Sequence, residues 1–370
     1  MIGRVPFARR TLFAERRRAA LAISGVSVAL LLVFVLDGIF AGAIEQVTAY
    51  IRTSRADAFV SQRSVRTMHM SSSALPPSDV ELVRALREVA WVAPIRYASG
   101  IVVTPKDRQL SYVIGYQPGR HGGPRALVDG REPRGGEAVV DRVAARGLGV
   151  DIGGHVQVLG KSFRVAGLSS GTTSITNTIV FITYRDFERL RGSAVSYILV
   201  GAVPELAPGA LRDAVAAAVP DATVQTRDEF VQREASIVRD MSADTMQIMT
   251  FVALVIALAV IALLLFTTTL AHLRDYGIVK AIGGSPAQLA RSVLVQALWA
   301  VALALALAVV LALGVGSLIN RFSDNIAIVI EPASVVRVAV GASVVAAIGA
   351  LLPVWRIARL DPAAAFRSAA

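Results

Sequence analysis

The uncharged run Ile248–Leu270, IMTFVALVIALAVIALLLFTTTL, decides the class of this protein. A bilayer's hydrocarbon core is crossed by roughly 17–25 mostly apolar residues in a helix, and this run meets that length without a single charge. Three further stretches meet it as well. Ala19–Ala43 is broken only by Asp37, and Ser292–Ile319 only by Gln296. Val338–Val354 is shorter, but Arg337 and Arg356 stand at its ends, where long cationic side chains can snorkel to the interface. The core helix of a soluble protein accounts for one such run, not for four. Composition agrees: the 370 residues are 54% hydrophobic and 18% charged, with a mean hydropathy of +0.59. The sequence holds no cysteine, which excludes disulfides and thiolate chemistry. His69, His121, His155 and His272 are too scattered to suggest a zinc site.

The net charge of +11 could suggest nucleic acid, so its distribution matters. Arg4, Arg9, Arg10, Arg16, Arg17 and Arg18 face only Glu15 before the first span. Arg274, Lys280 and Arg291 face only Asp275 between the second and third, and Arg356, Arg359 and Arg367 face only Asp361 after the fourth. The segment between the third and fourth is balanced, Arg321 and Arg337 against Asp324 and Glu331. The positive-inside rule then predicts a multi-pass protein with both termini in the cytoplasm. The expected order is a basic N-terminus (1–18), a first span (19–43), an external domain (44–245) and a second span (246–270). A cytoplasmic loop (271–291), a third span (292–319), a short external loop (320–337), a fourth span (338–354) and a cytoplasmic tail (355–370) complete it. The positive charge is thereby topological, and no nucleic acid is needed to explain it. A cleaved signal peptide is the rival reading for the first span, given its arginines and Ala41-Gly42-Ala43. Its apolar region far exceeds the roughly 7–15 residues of a signal core, which favours an uncleaved anchor.

The 44–245 segment, with 24 Lys+Arg against 21 Asp+Glu, reads as a near-neutral α/β domain. Ser78 and Glu81 are spaced as a capping box ahead of Val80, Val83 and Leu86. Trp91–Thr104 and Gln109–Gln117 read as strands, the second alternating through Leu110, Tyr112, Ile114 and Tyr116. A further strand–helix–strand unit runs from Tyr197 through Leu211 and Val215 to Ala222–Arg227. Between them, a glycine-rich β subdomain is expected at about 119–191, with strands at His155–Leu159, Ser162–Leu168 and Thr178–Ile182. At the domain's edges Ile44, Val47 and Ile51, and Phe230, Ile237, Met241 and Ile248, fall at helical spacing. They predict stalk helices continuous with the spans; surface helices packed on the domain are the plainer alternative.

The near-match HVQVLGKS at 155–162 lacks the first glycine of a Walker A motif, and a strand with its turn fits it better. Met68-His69-Met70 could hold a soft metal, but alone it reads as a surface or packing feature. Asp37 is costly in lipid and marks either a functional charge or an interfacial position. No nucleophile–base set can be assembled.

The most specific segment is the loop Leu273-Arg274-Asp275-Tyr276-Gly277-Ile278-Val279-Lys280-Ala281-Ile282-Gly283-Gly284-Ser285. It resembles the loop after the second span of FtsX-like permeases, the MacB-type membrane subunits of ABC transporters, whose pattern is R-x-x-E-[IL]-G-[IVL]-x-[KR]-A-[IL]-G-[AG]-[ST]. Gly277, Lys280, Ala281, Ile282, Gly283 and Ser285 fit directly. Asp275 replaces the commoner Glu, Tyr276 the usual Ile/Leu, and Arg274 stands one place off. The ending Pro353-Val354-Trp355-Arg356-Ile357-Ala358-Arg359-Leu360-Asp361-Pro362-Ala363 also resembles that family's tail. Val60-Ser61-Gln62 and Met68–Pro76 are similar to the DevC-like branch.

The resemblance implies an α-helical membrane protein with four transmembrane helices and a large extracytoplasmic α/β domain, MacB-periplasmic-like, between helices 1 and 2. It implies a bacterial cytoplasmic-membrane location and a non-catalytic subunit that carries no cofactor, with ATP and Mg on a partner ATPase. The expected partners are two ATPase copies, a second permease copy, membrane lipid and an extracytoplasmic adaptor or lipoprotein. Arg274, Asp275, Tyr276, Gly277, Lys280, Ala281, Gly283, Gly284 and Ser285 would form the coupling loop that meets the ATPase. Ile278 and Ile282 would lie on one side of a short helix ended by Gly283-Gly284. The implied function is mechanotransmission: ATP hydrolysis drives export or extraction of an envelope lipid, glycolipid or peptide. The alternative is an FtsX-like regulator of extracytoplasmic cell-wall hydrolases. A ligand sensor is the third reading and lacks an output domain.

Overall fold

The computed structural model describes residues 16–171, 178–271, 278, 280, 285–322 and 328–358. In chain order the elements are α1 Arg16–Thr53, β1 Ala58–Gln62, α2 Pro77–Arg84, β2 Val89–Val103, β3 Arg108–Tyr116, β4 Ala126–Gly130 and β5 Glu137–Asp141. Then come α3 Arg142–Leu148, β6 His155–Val158, β7 Lys161–Ser170, β8 Thr178–Thr183, α4 Tyr184–Arg191 and β9 Tyr197–Ala202. The last are α5 Pro208–Ala218, β10 Ala222–Thr226, α6 Arg227–Ala271, α7 Pro286–Phe322 and α8 Pro332–Ala358. The chain divides into two compact units, one of α/β structure at Gly42–Met241 and one formed by the remaining helical segments.

In the helical unit, four helices among the described residues are long and apolar enough to cross a membrane: Ala19–Thr53, Gln247–Ala271, Ala287–Arg321 and Pro332–Trp355. All four run past the apolar stretches that signalled them, because hydropathy marks only the residues suited to lipid. The helix itself continues through Ser, Gln and Arg, and α8 runs on past Pro353. Small side chains line the packed faces. On α7, Ala297, Ala304, Ala308 and Ala312 are fully buried, and on α8 so are Ala342 and Ala346. At four-residue spacing such residues let backbones approach closely, which drives helix association where lipid removes the hydrophobic force. The opposite face of α8 exposes Val336, Val340, Val344 and Ile348, as a lipid-facing surface requires. Ser27 Oγ lies 2.6 Å from Ile23 O on α1 and 3.0 Å from Ala304 O on α7. Gln296 is buried, with Nε2 lacking a hydrogen-bond partner among the described residues.

The α/β unit is built on one 10-stranded sheet ordered β10-β1-β9-β2-β3-β8-β5-β7-β4, with β6 paired to β2 and β7. Strand β2 holds it together. Its first half pairs antiparallel with β9 and its second half with β3, so one 15-residue strand serves both halves of the sheet. The region expected as a β-rich insert contributes β4 to β8 and joins the main sheet through the parallel β3–β8 pair and the short antiparallel β2–β6 pair. The alternation expected along β3 holds in sidedness but leaves no polar face: from Ser111 to Tyr116 every residue is buried. Tyr112, Ile114 and Tyr116 enter one apolar cluster while Val113 enters another, because a central strand covered on both faces needs no polar side.

The helix caps also differ from expectation. The capping box expected at Ser78 and Glu81 does not form: α2 starts at Pro77, its cap position is Pro76, and Glu81 instead pairs with Arg84. Proline at the first helical position is already set for helix and has no N–H to satisfy. The reciprocal box occurs at α6, where Glu229 N–H donates to Thr226 Oγ1 (3.2 Å) and Thr226 N–H to Glu229 Oε2 (2.9 Å).

Candidate functional site

The loop after α6 carries the strongest sequence signal. Arg274, Asp275, Tyr276, Gly277, Ala281, Gly283 and Gly284, with Ile282, lie outside the described residues. Ile278 and Lys280 are helical, and Ile278 is exposed. Ser285 caps α7: its Oγ accepts from Gln288 N–H at 3.2 Å, and its own N–H donates to Gln288 Oε1 at 3.2 Å. The serine at the end of the loop pattern thus has a local task, fixing where the third membrane helix begins.

At the other end of the helical unit, Asp37 finds partners that its sequence neighbours do not supply. Its Oδ2 is hydrogen-bonded by Ser334 Oγ and lies 3.3 Å from Arg337 Nη2. Val329 N–H donates to Gly38 O at 3.0 Å, and Asn320 brackets Ile328 by bonding both its N–H (2.9 Å) and its carbonyl (3.2 Å). These contacts tie the segment ahead of α8 to α1 and α7. A charge beside lipid is tolerated when it is paired.

In the α/β unit, the Met68-His69-Met70 run serves packing. Met68 is buried and Met70 is 67% exposed, so their sulfurs face different surroundings. The run is gripped by Glu234 of α6, which is fully buried. Its carboxyl group accepts from Met68 N–H (2.6 Å) and His69 N–H (3.2 Å) and meets His69 Nδ1. The His69 ring packs edge-on against Tyr112 with centroids 4.6 Å apart. Burial pushes the Tyr97, Tyr112 and Tyr197 hydroxyls above their ordinary range, so these rings stay neutral around Glu234. Arg96 of β2 is a second buried centre that sequence reasoning missed. Its guanidinium donates to Ala194 O, Tyr184 O and Ser193 O at 2.8–3.1 Å and to Glu188 Oε1 at 3.0 Å, and stacks 3.9 Å over the Tyr184 ring. Only the sheet's pairing brings these groups together, and no motif announces them.

The Walker-like segment folds as the β6–β7 hairpin. Leu159 and Gly160, at φ 49° and 82°, form its two-residue turn, and Lys161 faces Val158 across the ladder. A phosphate-cradling loop would lead into a helix, whereas Lys161-Ser162 leads into a strand.

Four apolar helices with a large α/β domain between the first and second define a membrane protein built around an inserted domain. Residues 19–222 match the MacB-like periplasmic core domain, and residues 247–362 match the FtsX-like permease C-terminal domain. The chain belongs to this family and is an ABC transporter permease of the MacB/FtsX type, a class that works with a cytoplasmic ATPase. Its relatives include an uncharacterised ABC transporter permease of Mycobacterium bovis, 22% identical over 95% of this chain and 96% of that one. A macrolide export ATP-binding/permease protein MacB of Yersinia pestis is 27% identical over 37% of this chain and 21% of its own length. Among solved structures, the periplasmic region of MacB from Actinobacillus actinomycetemcomitans aligns with 17% identity and a TM-score of 0.38, covering 49% of this chain and 94% of that one. The extracellular domain of the transporter YknZ from Gram-positive bacteria aligns with 13% identity and a TM-score of 0.36, over 46% and 98%.

Proposed function

We propose that the chain is a permease of the mechanotransmission type. ATP hydrolysis on a separate ATPase, which holds ATP and Mg, is converted into movement of the α/β domain. That movement exports or extracts an envelope substrate such as a lipid, glycolipid or peptide. The observation that carries the reading is the unbroken course of α1 and α6. Their 38 and 45 residues correspond to about 57 and 68 Å at 1.5 Å per residue, about twice a bilayer's hydrocarbon thickness. Each combines a membrane-crossing stretch with buried core residues of the α/β domain, Tyr50 and Ile51 on α1 and Phe230 and Val231 on α6. A hydrogen-bonded helix resists axial compression, so it passes displacement along its length. By the positive-inside rule, the arginine-rich ends and the basic 271–291 loop support a cytoplasmic position for the termini and that loop, with the α/β domain outside. Arg274–Ser285 is the coupling segment that meets the ATPase, and the assembly contains two copies of this chain, two ATPases and an external adaptor or lipoprotein.

The native absence of cysteine makes the test direct. Lys280→Cys crosslinks to the ATPase, to different extents with and without ATP. Gly277→Leu and Gly283→Val insert normally yet lose ATPase association or uncouple hydrolysis from transport. A functional complex in which Lys280→Cys never crosslinks refutes the coupling role, and a cytoplasmic reporter signal from the 44–245 domain refutes the orientation.

A further inference from the structure

The α/β domain holds a side pocket that the coupling reading leaves unused. It is an open cleft of about 600 Å³ lined by Arg84, Ala90, Trp91, Val92, Gly119, Arg120 and His121, a volume within the roughly 300–1,000 Å³ of small-molecule sites. The Trp91 and His121 rings stack at 3.8 Å with 20° between their planes. Trp91 lies on bare backbone: it pairs with Gly201 of β9, where a Cβ would fall 2.0 Å from the indole Nε1.

The wall that carries Arg120 and His121 is held from behind. Gly122 sits at φ +96°, and a Cβ there would come within 2.7 Å of Ile95 Cγ2. Its carbonyl accepts from the Tyr50 hydroxyl at 2.9 Å. Arg120 N–H closes a turn onto Gln117 O at 3.1 Å, and Gly119 N–H donates to Glu132 Oε2 at 2.8 Å. A wall fixed by its backbone does not have to be ordered when a ligand arrives.

Two arginines line the pocket from different elements. Arg84, at the end of α2, shares its charge with Glu81 at 2.5 Å. Arg120 is exposed and makes no side-chain hydrogen bond or ion pair among the described residues. A carboxylate fills one guanidinium fork, whereas a phosphoryl group offers oxygens to two cations at once. The apolar lining of Ala90, Trp91 and Val92 suits whatever carries that group.

The geometry points to a phosphoryl-binding site in the α/β domain. Arg120 and Arg84 take the phosphate of a lipid headgroup or of a soluble phosphoester, and Trp91 with its neighbours takes the attached body. The site goes beyond the coupling reading and is tested without an ATPase, so either can fail alone.

The chain has three tryptophans, so Trp299→Phe/Trp355→Phe makes Trp91 the sole emitter in the full-length protein in maltoside detergent. Dihexanoyl phosphatidylglycerol and inorganic phosphate are titrated, with an uncharged dioctanoyl glycerol as control. Either phosphate compound, but not the control, changes Trp91 emission saturably. Arg120→Glu weakens this by about tenfold or more, and Gly201→Ala weakens it by displacing the indole without changing charge. Arg87→Ala, which removes an arginine engaged with Glu88 and outside the pocket, leaves it unchanged. Phospholipid binding about tenfold tighter than phosphate binding supports a lipid headgroup, and equal affinities support a soluble phosphoester. No saturable change with either compound overturns the proposal. So does binding that survives Arg120→Glu in a protein of unchanged melting temperature.

Discussion

Replacing Glu234 by alanine removes the acceptor of two backbone N–H groups, those of Met68 and His69, and the partner of the His69 ring. A buried donor left unsatisfied costs about 1–3 kcal/mol. Two of them together with the lost ring contact bring Glu234→Ala to about 3–5 kcal/mol, the range for breaking a buried polar pair. Glu234→Gln keeps an acceptor oxygen for one N–H group and should cost about 1–2 kcal/mol. In a unit the size of Gly42–Met241, each 1 kcal/mol corresponds to about 2–4 °C. Alanine should therefore lower the melting temperature by about 10 °C, and glutamine by about 4 °C. Trp91 lies in this unit, and its emission in the Trp299→Phe/Trp355→Phe background gives the melting curve. Amide exchange at Met68 and His69 reports the grip itself. An alanine variant that melts within about 2 °C of the parent, with unchanged exchange at those amides, refutes the reasoning. Equal losses for glutamine and alanine would show that the energy lies in the His69 ring contact rather than in the two N–H bonds.

Asp37→Ala and Arg337→Ala should each destabilise the helical unit in detergent, and the double variant should lose less than their sum. The coupling, about 0.5–3 kcal/mol, is read from a double-mutant cycle of thermal melts; strict additivity would show that the pair contributes nothing. The Glu137 carboxyl is held below the usual carboxylate range chiefly by Arg131, whose Nη atoms donate at 2.6 and 2.7 Å. A depressed folded-state pKa stabilises above the ordinary value and is lost as pH falls through the folded one. Melting temperatures from pH 7 to about pH 3 should fall less steeply in Glu137→Gln than in the parent, and parallel curves would dismiss the pair.

The parts legible in sequence were those that depend on neighbours along the chain. Apolar runs long enough for lipid marked the four spans, and β-branched runs marked β2, β3 and β7 to within a few residues. A strand with its turn, rather than a phosphate cradle, was readable from HVQVLGKS, but the positive φ of Leu159 in that turn was not. The family resemblance of the loop at 271–291 was legible by pattern alone, since such a motif is written in consecutive residues. Caps were less certain, because Ser78 and Thr226 have similar local spacing and only the proline ahead of Ser78 decides between them.

What tertiary structure alone decided were the polar partnerships and the sidedness of strands. Asp37 meets Arg337 across 300 residues, and Glu234 meets Met68 across 166. Hydropathy gives no sign of either, because a charge's cost depends on what packing places beside it and not on its neighbours in sequence. Strand β3 alternated on paper and is buried on both faces in space, since burial follows from which elements cover a strand. The same holds for Trp91, Arg84 and Arg120: a strand, a helix end and a loop supply them, and only the folded sheet sets them around one pocket.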